Sequence, residues 1–313
     1  MALLTVGATL ALIYAGALVT TTGSGLAVPD WPLSFGQFFP PMVGGVFYEH
    51  GHRMVAGVVA LLTFGLAAVV WRWEPRGWVR TLAIVAAVVV VLQAVLGGMT
   101  VLMGLPTAVS VGHACLAQAF LCLIVTLAVV TGPTWIGGGD GTGTPPKVVD
   151  DHRVPLRWMA SALVVLVYCQ LIVGAIMRHI GAGLAIPDFP LAYGRIVPPL
   201  ESTPVIVHFL HRVGAVVIMA MVGWVGARVI RAHGRDSRLL RPAIALVWLV
   251  VLQVSLGALT IWTRKAVVPT SAHVMVGAAI LATSVMLALR AHRLLDEPAT
   301  AEGALVVSKQ VAA

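Results

Sequence analysis

The chain has 313 residues, 59% of them apolar and 10% charged, with a formal net charge of +8 and a mean hydropathy of +0.97. These values exclude a water-soluble globular domain and a disordered chain, and they place the protein in lipid. The basic excess would suit nucleic acid, but it gathers at one side of the predicted helices, which excludes nucleic acid as a partner.

Eight apolar runs follow one another, each long enough to cross a hydrocarbon core about 30 Å thick. They cover 2–21, 46–71, 79–103, 107–131, 156–179, 204–230, 241–263 and 267–291. The first lacks the basic flank and cleavage site of a signal peptide, so it is kept as a span. An even number of spans puts both termini on one side. Fourteen of the 20 Lys and Arg fall there, among them Arg72, Arg76, Arg228, Arg231, Arg290 and Lys309. The positive-inside rule makes that side cytoplasmic, in the cell (inner or plasma) membrane, with some attraction to anionic lipid. Cys115, Cys122 and Cys169 all lie within spans, so no disulfide framework is expected.

The chain is written twice. Gly25–Leu33 (GLAVPDWPL) returns as Gly183–Leu191 (GLAIPDFPL), His52-Arg53 as His211-Arg212, and Leu92-Gln93 with Gly97 and Thr100 as Leu252-Gln253 with Gly257 and Thr260. His113 returns as His273, its spacing grown by two residues, which small loop insertions explain. The expected fold is an all-α membrane protein of eight transmembrane helices. They form two tandem four-helix bundles related by a pseudo-twofold axis along the membrane normal. The expected division is an N-terminal half at 1–131, a cytoplasmic linker at 132–155, a C-terminal half at 156–292 and a cytoplasmic tail at 293–313. The linker is rich in Gly, Pro, Thr and Asp and reads as flexible and chemically silent. The two long outer loops carrying the PD-W/F-P repeat serve either as lids over an apolar ligand or as interfacial anchors, with Trp31, Phe35, Phe38 and Phe39 suited to both.

His52 and His113 fall on the second and fourth spans about six residues from the outer end, roughly 9 Å deep. His211 and His273 repeat that placement on the sixth and eighth. Two inward imidazoles from different helices of a bundle can ligate one haem iron from opposite faces. A single buried histidine is ordinarily a hydrogen-bonded packing residue, but two matched pairs at one depth point to metal. Neither half supplies a third or fourth intramembrane Cys or His at the same clear level, as bare zinc or copper would require, so haem is preferred. Arg53 and Arg212, each following a ligand histidine, suit either a haem propionate or headgroups reached by snorkelling. Gln93 and Gln253 read as interhelical hydrogen-bond glue, with the nearby glycines allowing close approach.

The halves differ at one position. Glu49 stands three residues before His52 on the same helix face, where the second half has His208. A carboxylate in or near a span is costly and invites a functional explanation; the alternative is a solvated glutamate favoured by the helix macrodipole. The asymmetry suggests chemistry in the N-terminal half and a redox haem in the C-terminal half. His50 points away from His52 and is expected to be exposed, His152, His233 and His292 read as inert, and His179 is a weaker candidate for the second site.

Taken together, T-G-S-G-L-A-V-P-D-W-P from Thr22, E-H-G-H-R from Glu49, L-Q-x-x-L-G-x-x-T from Leu92 and H-x-L-H-R from His208, with His113 and His273, resemble the haem A synthase family over nearly the whole chain. The resemblance implies oxidation of the C8 methyl of haem O to a formyl group for haem-copper oxidase maturation. It implies Glu49 as the essential carboxylate, His52 and His113 as ligands of the substrate haem, and His211 and His273 as ligands of a haem b cofactor. It further implies supply by a haem O synthase and an unidentified electron acceptor, and it allows a homo-oligomer. Many members carry cysteine pairs in the outer loops; this chain has none there, which puts a thiol-linked step in doubt. Two other classes remain open: a di-haem b-type membrane electron-transfer protein without haem-modifying activity, and a transporter using the histidines as substrate ligands.

Overall fold

The computed structural model describes residues 1–136 and 147–296. Its long helices are α1 (Ala2–Thr21), α2 (Gly45–Trp73), α3 (Gly77–Leu102), α4 (Thr107–Val130), α5 (Leu156–His179), α6 (Thr203–His233), α7 (Ser237–Trp262) and α8 (Val267–Leu294). Each carries an 18-residue window of mean hydropathy 2.0 or more, and the chain is an all-α, multi-pass membrane protein. All eight agree with the expected runs to within about four residues.

Few polar groups interrupt these helices, and several of the hydroxyls bond back within their own helix. Thr9 Oγ1 donates to the Thr5 carbonyl at 2.7 Å, and Thr63 Oγ1 to that of Val59 at 2.7 Å, so both hydroxyls are buried at little penalty. Asp236 caps α7 by accepting from the Arg238 amide at 2.9 Å. The α3–α4 and α7–α8 turns share one geometry, with Leu105 N donating to Thr100 O and Lys265 N to Thr260 O, both at 2.7 Å.

Helices α1 to α4 form one closed ring of neighbours, α1 touching α2 and α4, and α3 touching α2 and α4. Helices α5 to α8 form another in the same order, and the rings meet through α4 against α8, flanked by α1 against α8 and α4 against α5. Helix α8 is the centre of the molecule: 56% of its apolar window is inside, against 39% or less elsewhere. Its Leu281 and Leu287 share a core with Leu121 of α4, Leu163 of α5 and Leu246 of α7, while Val59, Leu66, Phe120 and Ile124 build a smaller core within the first ring.

The loops 22–44 and 180–202 lie at one end, here the loop face, and repeat each other closely. Asp30 accepts from the amides of Phe35 and Gly36 at 2.7 and 2.8 Å, and Asp188 from those of Tyr193 and Gly194 at the same two distances. Those amides, Gly36 and Phe35 for the first and Gly194 and Tyr193 for the second, hold both carboxyls below the ordinary carboxylate value.

The linker is structured at its far end. β1 (Val148–Val149) pairs in parallel with β2 (Leu295–Asp296), tying it to the end of α8. Asp150, only 2% exposed, accepts from the Leu156 amide at 2.7 Å and pairs with Arg228. The first amide of α5 has no helical partner, and this carboxylate supplies one. Burial works to raise the Asp150 carboxyl, but the Leu156 amide and Arg228 outweigh it and hold it low. His292, expected to be inert, has Nε2 2.9 Å from Ser161 Oγ. The remaining linker, 137–146, and the tail from 297, with Lys309, lie outside the described residues.

Candidate functional site

Each of the four histidines lies against a glycine of the preceding helix. A β-carbon on Gly16 of α1 would lie 3.0 Å from the His52 ring, on Gly97 of α3 3.1 Å from His113, on Gly174 of α5 3.2 Å from His211, and on Gly257 of α7 3.1 Å from His273. A side chain at any of these positions would push the imidazole by a few tenths of an ångström. The histidines are thereby pressed inward within their rings.

The second pair is in contact: the rings of His211 and His273 have centroids 6.2 Å apart. A metal bonded at about 2 Å to a nitrogen of each of two opposed imidazoles requires about 6 Å between centroids, so the spacing fits one iron between them. His273 Nδ1 lies 3.1 Å from the Gln253 carbonyl, the kind of partner that orients a ligating histidine, and its Nε2 lies 3.4 Å from the Gln253 side-chain nitrogen. Gln170 holds His211, donating to its carbonyl at 2.7 Å with the same nitrogen 3.1 Å from Nδ1. The Nδ1 of His52 and that of His113 are each buried without a hydrogen-bond partner among the described residues. Gln93 donates to the His113 carbonyl at 2.8 Å, which bears out its reading as glue between α3 and α4.

Glu49 is buried, at 3% exposure, rather than solvated. Its Oε1 accepts from Arg53 Nη2 at 2.7 Å and its Oε2 from the Val28 amide at 2.9 Å. His208 makes the corresponding bond in the second half, its Nδ1 accepting from the Ile186 amide at 3.2 Å. Both residues therefore anchor a loop; only Glu49 adds an ion pair.

The two arginines are engaged by loop backbone. Arg53 donates to the carbonyls of Asp30 and Leu33 at 2.8 and 2.7 Å and to Glu49, and Arg212 to those of Leu191 and Asp188 at 2.8 and 2.6 Å. A propionate would have to displace these bonds to reach either Nη group. His50, expected to be exposed, is buried with its Nδ1 2.8 Å from Ser34 Oγ, because the loop folds back over that face of α2. The indole of Trp31 covers Gly98, where a β-carbon would meet the ring at 2.6 Å, next to the glycine beneath His113. The loop thus packs on α3 beside the glycine that seats His113. His179 is the last residue of α5, five positions beyond the glycine that seats His211.

Sequence reasoning missed Gly16, Gly174 and Gln170. The signal for the glycines is present, since Gly16-Ala17 returns as Gly174-Ala175 at the spacing of the loop motif.

The family model described as cytochrome oxidase assembly protein matches residues 43–285. A protein of Halalkalibacterium halodurans named heme A synthase is 30% identical over 280 residues, 87% of this chain and 89% of the relative. One of the same name from Symbiobacterium thermophilum is 34% identical over 250 residues, 78% and 79% of the two chains. A third, from Geobacillus kaustophilus, is 29% identical over 301 residues, covering 91% and 90%. The chain belongs to the haem A synthase family of cytochrome oxidase assembly proteins.

Proposed function

We propose that this chain is a haem A synthase that oxidises the C8 methyl of haem O to a formyl group for cytochrome oxidase assembly. The substrate is held between His52 and His113, and a haem b between His211 and His273. The observation that carries the reading is the set of four glycine-seated histidines in two pairs, of which only the first has a buried carboxylate one turn away. Iron held between two imidazoles supplies one-electron redox chemistry. The protein's own residues orient the ring: the glycine seats set the imidazoles, and the Trp31 loop packs beside the first site. Glu49 is placed on the His52 face of α2 to accept a proton or to stabilise positive charge developing at the methyl carbon.

The matching order of neighbours in the two rings supports halves related by a pseudo-twofold axis. With the charge bias of the sequence, it supports termini in the cytoplasm and haem sites towards the outer side. Haem O would come from a haem O synthase, and electrons would leave to an acceptor that the chain itself does not supply.

One observation favours a second reading. Glu49 and His208 share the loop-anchoring bond, as expected if Glu49 is structural and both haems only carry electrons. Expression in a host that makes haem O, followed by extraction and chromatography of haems, separates the two. Glu49→Gln keeps an oxygen for the Val28 amide, so haem A from wild type but not from this variant, with haem bound in both, supports catalysis. Bound haem without haem A from wild type supports the carrier.

A further inference from the structure

Arg178 lies near the end of α5, at the seam between the rings. Its Nη2 donates to the Ala17 carbonyl of α1 at 2.6 Å and to Thr21 Oγ1 at 3.0 Å. Thr21 Oγ1 in turn accepts from Ser271 of α8 at 3.2 Å. Three helices from both halves are thus joined through one guanidinium. Arg178 pairs with no carboxylate among the described residues, and its Nε and Nη1 make no hydrogen bond there. A cation within a span is costly unless something neutralises it.

Its position relates it to the histidines. Gly174, the seat of His211, is one turn earlier on the same helix, and Ala17, whose carbonyl Arg178 holds, follows Gly16, the seat of His52. Arg178 therefore stands about one turn, roughly 5 Å, nearer the loop face than the α5 seat of His211. That is where the polar edge of a porphyrin ligated at this depth would emerge. The arginines next to the ligand histidines have their Nη groups committed to loop carbonyls. Position 20, the counterpart of Arg178 in the first half, is a threonine, so the chain holds one such cation for both sites.

We propose that Arg178 is a carboxylate-binding residue at the seam, its free Nη1 donating to a porphyrin propionate while Nη2 fixes the guanidinium against α1. This rests on the haem reading above. A charge-assisted hydrogen bond to a carboxylate is stronger than a neutral one, and the anchored Nη2 reduces the rotamer freedom lost on binding.

The test uses full-length protein purified from a haem-deficient host and titrated with iron protoporphyrin IX or with its dimethyl ester, whose propionates carry no charge. Soret absorbance reports binding. Wild type is expected to bind the free acid about tenfold or more tighter than the ester. Arg178→Gln should bind both alike, and Arg178→Lys, which keeps the charge but cannot hold α1 and a carboxylate at once, should retain part of the preference. If Arg178→Gln does not fold, the lysine variant carries the comparison. An undiminished preference in the variant that folds, or no preference in wild type, overturns the proposal and leaves the haem reading standing. Wild type that binds neither compound overturns both.

Discussion

Gly174 and His211 approach so closely that a methyl group on the glycine would lie 3.2 Å from the imidazole Cε1, and the same contact recurs between Gly16 and His52, Gly97 and His113, and Gly257 and His273. Alanine at these positions should leave the helices intact or firmer, by up to about 1 kcal/mol from helix propensity. It should also move the ring by a few tenths of an ångström. The expected outcome for Gly174→Ala is an unchanged or raised melting temperature together with a perturbed haem spectrum, losing low-spin character. An unperturbed spectrum would show that the glycine does not set the ligand.

Glu49→Leu differs from Glu49→Gln in a measurable way. The leucine leaves the Val28 amide and Arg53 without their buried acceptor, at about 1 to 3 kcal/mol. Hydrogen exchange in residues 24–36 should rise in the leucine variant and stay near wild type in the glutamine variant. Equal exchange in both would show that the carboxylate does not anchor the loop.

Arg53→Lys keeps the positive charge and loses the fork that bridges the carbonyls of Asp30 and Leu33 to Glu49. Faster proteolytic cleavage within 22–44, with the 180–202 loop unaffected, is the expected result. Arg212→Lys should give the reverse pattern, because its bonds run only to its own loop.

Acid should act on both loops at once. Asp30 and Asp188 have carboxyls held below the ordinary value of 3.8 by backbone amides, those of Gly36 and Phe35 and of Gly194 and Tyr193. A folded-state value below the unfolded one adds stability that is fully present above the ordinary value and is lost as pH falls through the lowered one. Loop protection should therefore be flat from pH 8 to about pH 5 and fall only below the ordinary carboxylate range. Asp30→Asn should abolish the acid dependence in the first loop alone, as read by hydrogen exchange.

The eight helices and the histidine pairs were legible because hydropathy and duplication are properties of the sequence itself. What lay in tertiary contact was not. The helical wheel puts His50 opposite His52 but does not say that the loop folds over that face, so its burial against Ser34 was missed. Arg53 and Arg212 were read toward propionates or headgroups; their bonds to loop carbonyls were not legible, because no residue type announces a backbone partner. Gly16 and Gly174 repeat in register, yet their meaning needs the imidazole on the next helix. Arg178 has no counterpart in the first half, and the duplication that exposed the histidines passed over it.

The central claim is that the two histidine pairs hold different haems for different purposes. Haems extracted from His52→Ala and from His211→Ala, each expressed with haem O available, test it most directly. The first variant should keep haem b and yield neither bound haem O nor haem A, and the second should lose haem b while its remaining haem is unconverted haem O. Loss of the same haem from both variants, or haem A from His52→Ala, would contradict the account.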